Sequence, residues 1–115
     1  GYICAIRCAQ LGLKTALIEK NKTLGGTCLN RGCIPSKALL DSSEHYAQAQ
    51  HELADHGVDF SKVSLNLANM MKRKDKIVGE LTQGIVYLMK KNKIETFYGK
   101  GSITSTGTVE VTGDK

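Results

Sequence analysis

The chain has 115 residues and a mass of 12.5 kDa, enough for one domain and too little for two. Hydrophobic residues make up 41% and charged residues 23%, a globular composition rather than a disordered one, and no apolar run approaches the ~20 residues of a membrane-spanning helix. The formal charge of +5 is mild, and 5% aromatics with no Trp leave little on which to stack single-stranded bases, so neither a nucleic-acid partner nor a membrane is expected.

Residues 2–11 read as a helix closed at Gly12. Residues 13–19 read as a buried strand with Ala16, Leu17 and Ile18 at its apolar centre, and residues 20–27 as a loop containing Gly25 and Gly26. A second helix is expected from Pro35 through Ala38-Leu39-Leu40, ended by Gly57. A third is expected at roughly residues 64–92, where Leu67, Met70, Met71, Ile77, Val78, Leu81, Ile85 and Leu88 recur at three- and four-residue steps. Strands follow at 94–98 and 108–112, and Gly113-Asp114-Lys115 reads as a turn. Gly1-Tyr2-Ile3 enters its helix with no strand or cap before it, so the chain reads as a piece of a larger protein, cut at both ends.

Cys28 and Cys33 are separated by Leu29-Asn30-Arg31-Gly32. In a regular helix, residues five apart lie roughly 8.6 Å apart at Cα, whereas a disulfide tolerates about 7 Å at most. A bridge therefore needs a distorted turn, which Gly32 permits. Pro35 marks a helix start, where free N–H groups favour thiolate. The spacing is that of a redox-active pair, with two buried thiols or half of a metal site as the alternatives. His45, His51 and His56 share no helix face with which to complete such a site. Cys4 and Cys8 do share a face, with Cα atoms about 6 Å apart, and read as small buried core positions.

Glu19 closes the first strand about 20 residues beyond where a glycine turn would lie, the position of the ribose-binding acid in dinucleotide folds. Only Gly1 remains of such a turn.

The run Leu24-Gly25-Gly26-Thr27-Cys28-Leu29-Asn30-Arg31-Gly32-Cys33-Ile34-Pro35-Ser36-Lys37-Ala38-Leu39-Leu40 closely resembles the redox-disulfide signature of the FAD-dependent pyridine nucleotide–disulfide oxidoreductases. Its Ile-Pro-Ser-Lys-Ala-Leu segment resembles the dihydrolipoyl dehydrogenase branch most, with the mercuric and glutathione-type reductases as alternatives. The first helix is similar to the family's as well, with Gly1 as the last glycine of its fingerprint. The implied fold is α/β: residues 1–115 form a partial Rossmann-like FAD-binding domain, three-layered around a parallel sheet, lacking its first strand and carrying a long helical excursion. Without that central strand the piece is expected to fold poorly alone.

The resemblance also implies roles. Cys28 is the interchange thiol that exchanges disulfides with dihydrolipoamide. Cys33 is the charge-transfer thiol against the flavin, and Lys37 reaches the flavin ring. Gly1, Glu19, Lys20, Leu24, Gly25, Gly26, Thr27, Cys28 and Gly101 contact FAD, Gly101 as part of a Gly99-Lys100-Gly101 turn. Arg31 stands where many members have Val, read as a neutral change. NAD accepts the electrons. The NAD domain, the dimerisation domain and the acid–base His–Glu pair are expected outside these residues. The implied partners are lipoyl domains of 2-oxo acid dehydrogenase complexes and a second copy of the full-length chain, and the implied setting is the cytoplasm, or the mitochondrial matrix or a plastid in a eukaryote.

Readings of another class are a small basic binding module, built on Lys72-Arg73-Lys74-Asp75-Lys76 and Lys90-Lys91-Asn92-Lys93, and a thioredoxin-like dithiol carrier. The latter would use CxxC and needs no ribose acid.

Overall fold

The computed structural model describes residues 1–113, so the turn expected at the end lies, from Asp114 on, outside the described residues. The chain divides into two compact units: Gly1–Gly26 with the chain from Leu81 on, and Thr27–Glu80.

The first unit opens with helix α1, Tyr2–Gln10, followed by strand β1, Ala16–Glu19. Ala5 is the buried residue of α1, and its methyl-sized side chain lets the helix pack close to β1. The strand is shorter than expected because Leu13 is folded back onto the helix end, its N–H bonding the Cys8 carbonyl at 3.1 Å. Ala16 is exposed, and Leu17 and Ile18 are half-buried, so the expected buried strand is here only partly covered. β1 pairs in parallel with β2, Glu95–Tyr98, in the register Ala16↔Glu95 to Glu19↔Tyr98. This pair is the parallel sheet that the chain itself contributes. Everything between the two strands is the expected helical excursion.

Beyond β2 the chain forms an antiparallel hairpin of β3, Lys100–Ser105, and β4, Thr108–Thr112. The sequence resemblance implies a glycine turn at 99–101. Instead, Gly99 ends the parallel strand and Lys100 and Gly101 already belong to β3. The signal that could have found β3 is Thr106-Gly107, a two-residue connection with glycine at positive φ (78°). The six residues of β3 are all exposed, so no apolar alternation marked them.

Helix α4, Leu67–Lys91, runs across the division between the units. Its buried residues are Thr82, Ile85 and Met89, a stripe rotated from the one expected through Leu81 and Leu88, which are 43% and 37% exposed. Met89 and Leu24, each 2% exposed, join Ala5, Ile85 and Ile94 in the core of the first unit. Complete burial of a side chain such as Leu or Met contributes about 1.5–3 kcal/mol.

The second unit contains α2, Gly26–Asn30, from Thr27 on, then α3, Cys33–His51, and a 3-10 turn, Leu53–His56, closed by Gly57. Helix α3 thus begins two residues before Pro35, which sits in its first turn, where no intrahelical N–H bond is lost. Arg73 of α4 ties this unit together. Its guanidinium donates to the Asp41 carboxylate at 2.7 Å, the Ala38 carbonyl at 3.0 Å and the Ser42 hydroxyl at 3.1 Å.

Candidate active site

Gly25 and Gly26 have φ of 113° and 70°, a left-handed pair that side chains resist. They swing the chain out of the loop and into α2. Two turns of backbone then end that short helix: the N–H groups of Arg31 and Gly32 both bond the Thr27 carbonyl at 2.8 Å. The chain leaves through Gly32, and Cys33 is the first residue of α3. A Cβ on Gly32 would meet the Thr27 oxygen at 3.3 Å and the Cys28 Cα at 3.4 Å. Its absence lets the two cysteines approach across a break between helices, resolving the distance problem of a continuous helix.

Both sulfurs are free thiols and exposed, which removes the buried-thiol alternative. Cys28 donates its S–H to Cys33. That bond holds the Cys28 thiol above its ordinary pKa and lowers that of Cys33. Desolvation of the thiol opposes this, and the Cys33 backbone N–H and the Lys37 ammonium, one helical turn away, add smaller pulls downward. The pair is thus polarised, with thiolate favoured on Cys33 over Cys28.

In the first unit, an open cavity of about 580 Å³ is lined by Ile18, Glu19 and Lys20 at the end of β1 and by the Gly99–Ile103 segment and Val109. Glu19, Lys20 and Gly101, far apart in sequence, therefore share one cavity. A Cβ on Gly101 would press on Ile18 at 3.2 Å, so glycine keeps the backbone accessible there. Gly1 is the N-cap of α1 and lies against Leu17 of β1. No side-chain hydrogen bond caps that helix end. Leu24 turns its side chain into the core, so a ligand would meet its backbone. Asn21 was not singled out in the sequence. Its N–H and side-chain amide both donate to Glu19 Oε1, at 2.8 and 2.7 Å.

Cys4 is exposed and Cys8 half-buried, which corrects the expectation that both belong to the core. The covered line of α1 runs through Ala5, about 100° around the helix from Cys4. In the expected basic cluster, Arg73 is spent on α3, Lys74 pairs with Asp75 and Lys76 with Glu80. Among the described residues no group of three or more His, Cys, Asp or Glu could hold a metal ion, and no helix is long and apolar enough to cross a membrane.

The Cys-x4-Cys pair thus spans the junction of α2 and α3, on a chain whose parallel strands flank the helical excursion. The chain belongs to the pyridine nucleotide-disulphide oxidoreductase family, whose profile matches residues 1–115. It is 57% identical over 113 residues to the mitochondrial dihydrolipoyl dehydrogenase of Schizosaccharomyces pombe, covering 98% of this chain and 22% of that protein. It is 56% identical to a leghemoglobin reductase of Vigna unguiculata, covering 96% and 21%, and 52% identical to the mitochondrial dihydrolipoyl dehydrogenase of Sus scrofa, covering 97% and 22%. The chain thus spans about a fifth of the length of these relatives. Its fold is similar to that of a HOCl-induced flavoprotein disulfide reductase of Escherichia coli solved as a Cu(II) complex, with a TM-score of 0.72 at 24% identity, covering 98% of this chain and 22% of that one.

Proposed function

We propose that residues 1–115 are the FAD-binding, disulfide-bearing part of a dihydrolipoyl dehydrogenase that reoxidises dihydrolipoamide and passes the electrons to NAD. The observation that carries this reading is the polarity of the cysteine pair. The relatives' names support it.

In thiol–disulfide exchange, the sulfur with the lower pKa is the better leaving group. Attack by a substrate thiolate on the Cys28–Cys33 disulfide is therefore directed to Cys28. A bond forms between the substrate sulfur and Cys28, and Cys33 departs as thiolate beside Lys37. The second substrate thiolate then attacks the substrate sulfur of this mixed disulfide. Lipoamide closes as a cyclic disulfide, and Cys28 leaves, takes up a proton and donates it in a hydrogen bond to Cys33. The enzyme ends two electrons reduced, as the dithiol seen here.

The residues fit FAD. Glu19 would accept from a ribose hydroxyl, and Lys20 and the Gly101 backbone would line the same cavity. The α1 N-terminus at Gly1 would face the pyrophosphate. The backbone of Leu24, Gly25, Gly26 and Thr27, with Cys28, would pass close to the cofactor, and Lys37 would place a cation near its ring. When bound, FAD supplies a two-electron acceptor for the dithiol and a hydride donor for NAD.

By the same reading, the complete protein is a homodimer whose partner subunit supplies the acid–base group. It works on lipoyl domains of 2-oxo acid dehydrogenase complexes, in the mitochondrial matrix as its relatives' names suggest. The test is turnover by the complete protein. Dihydrolipoamide-dependent reduction of NAD is expected, abolished by Cys28→Ser with flavin retained. Preference for glutathione disulfide or mercuric ion would assign it to another branch.

A further inference from the structure

We propose that Gly113 is a positioning residue for Glu19: where the chain leaves β4 it crosses Gly99 backbone on backbone, and Gly99 holds Glu19. Gly113 has this role only if the cavity at Glu19 takes the FAD ribose, as proposed above.

Gly99 links the two walls of that cavity. It lines the cavity with Lys100 and Gly101, and its N–H donates to the Glu19 carbonyl at 2.9 Å. Its φ of 146° is one that side chains resist. Gly113 packs against it from the other end of the hairpin. A Cβ on Gly113 would stand 2.8 Å from the Gly99 Cα, and a Cβ on Gly99 would stand 2.8 Å from the Thr112 carbonyl oxygen. Carbon atoms settle about 3.5–4.0 Å apart, and backbone atoms cannot rotate aside as a side chain can. Thr112, just before Gly113, is paired with Lys100, just after Gly99. Gly113 therefore cannot simply lift off, and a methyl group on it strains Gly99 and its bond to Glu19. Gly113 is not among the residues that line the cavity, so it acts through Gly99. All these residues lie in one compact unit, so the crossing is made by this chain whatever surrounds it. Gly107, in the turn of the same hairpin, is the control. A Cβ there meets nothing within 4 Å, yet its φ of 78° makes alanine costly.

The experiment titrates FAD into the complete protein freed of flavin, with flavin fluorescence as the affinity readout and circular dichroism as the check on folding. G113A is expected to weaken FAD about tenfold, the loss of one charge-assisted hydrogen bond. G107A should stay within about twofold of the parent despite a lower melting temperature. On an E19A background, G113A should cost less than about twofold more, because residues that act through one contact are not additive. A general loosening of the hairpin would weaken both backgrounds equally. The proposal is overturned if G113A binds FAD as the parent does, if it costs as much with E19A as without, or if it fails to reach the parent's circular dichroism. An E19A variant that binds FAD unchanged would overturn the ribose reading itself, and this role with it.

Discussion

Asn21 binds a single oxygen of the Glu19 carboxylate twice, once through its backbone N–H and once through its side-chain amide. The other carboxylate oxygen is left to point elsewhere, and Glu19 lines the cavity formed by the end of β1 and the β3 segment. A carboxylate held this way cannot rotate freely, so less entropy would be lost in the ribose contact proposed above. Asn21→Ala removes the side-chain bond and keeps the backbone one. A charge-assisted hydrogen bond near solvent is worth about 1 kcal/mol, so flavin affinity of the complete protein should fall by roughly fivefold in a fluorescence titration. An unchanged affinity would show that Glu19 needs no such support.

The polarity of the dithiol makes an ordered prediction. The bond from Cys28 is the largest contribution to the low pKa of Cys33, ahead of Lys37. Removing a donor or a cation destabilises the thiolate, so each change raises the pKa. Cys28→Ala should move the Cys33 titration upward more than Lys37→Met does, read as thiolate ultraviolet absorbance against pH in the reduced protein. The reverse order would mean that the lysine, not the thiol, governs the leaving group.

Gly32 is the physical reason the pair can meet. A methyl group there would press on backbone atoms of Thr27 and Cys28, which cannot rotate away as a side chain could. Gly32→Ala should separate the end of α2 from the start of α3. Reoxidation of the dithiol should slow several-fold, and the disulfide should become easier to reduce in a glutathione redox titration.

Arg73 has three partners on α3, yet it and Asp41 are 47% and 53% exposed. Water competes for such a pair, so its ionic part is worth under about 1 kcal/mol. The added bond to the Ala38 carbonyl brings the whole to about 1–2 kcal/mol. Arg73→Met should lower the melting temperature of the complete protein by a few degrees, with Arg73→Lys intermediate because an ammonium lacks the fork.

Local features of the fold were legible because local chemistry produces them. The ends of α1 follow from Gly1 and Gly12, and β4 from the alternation of Val109 and Val111. The Cys28–Cys33 constellation was legible as a motif, including its need for a break at Gly32. What was hidden depended on partners distant in sequence. Thr82 is polar, so nothing local marked it as part of a buried stripe, and β3 offers only Ile103 as an apolar residue. Cys4 and Cys8 were misplaced because cysteine is so often buried, while the covered line of α1 passes through Ala5 instead. Asn21 carried no motif at all; only the fold brings its amide onto Glu19.

The parallel pairing of β1 with β2 also sets an order of events during synthesis. The cavity is walled by residues 18–20 and 99–103, so its second wall leaves the ribosome only after the whole helical excursion has been made. The dithiol turn, complete by Lys37, emerges long before. A nascent chain thus exposes two thiols well ahead of that cavity, and long-range strand pairing is itself slow. The interval between these events is a window in which the cysteines are open to oxidation or mispairing.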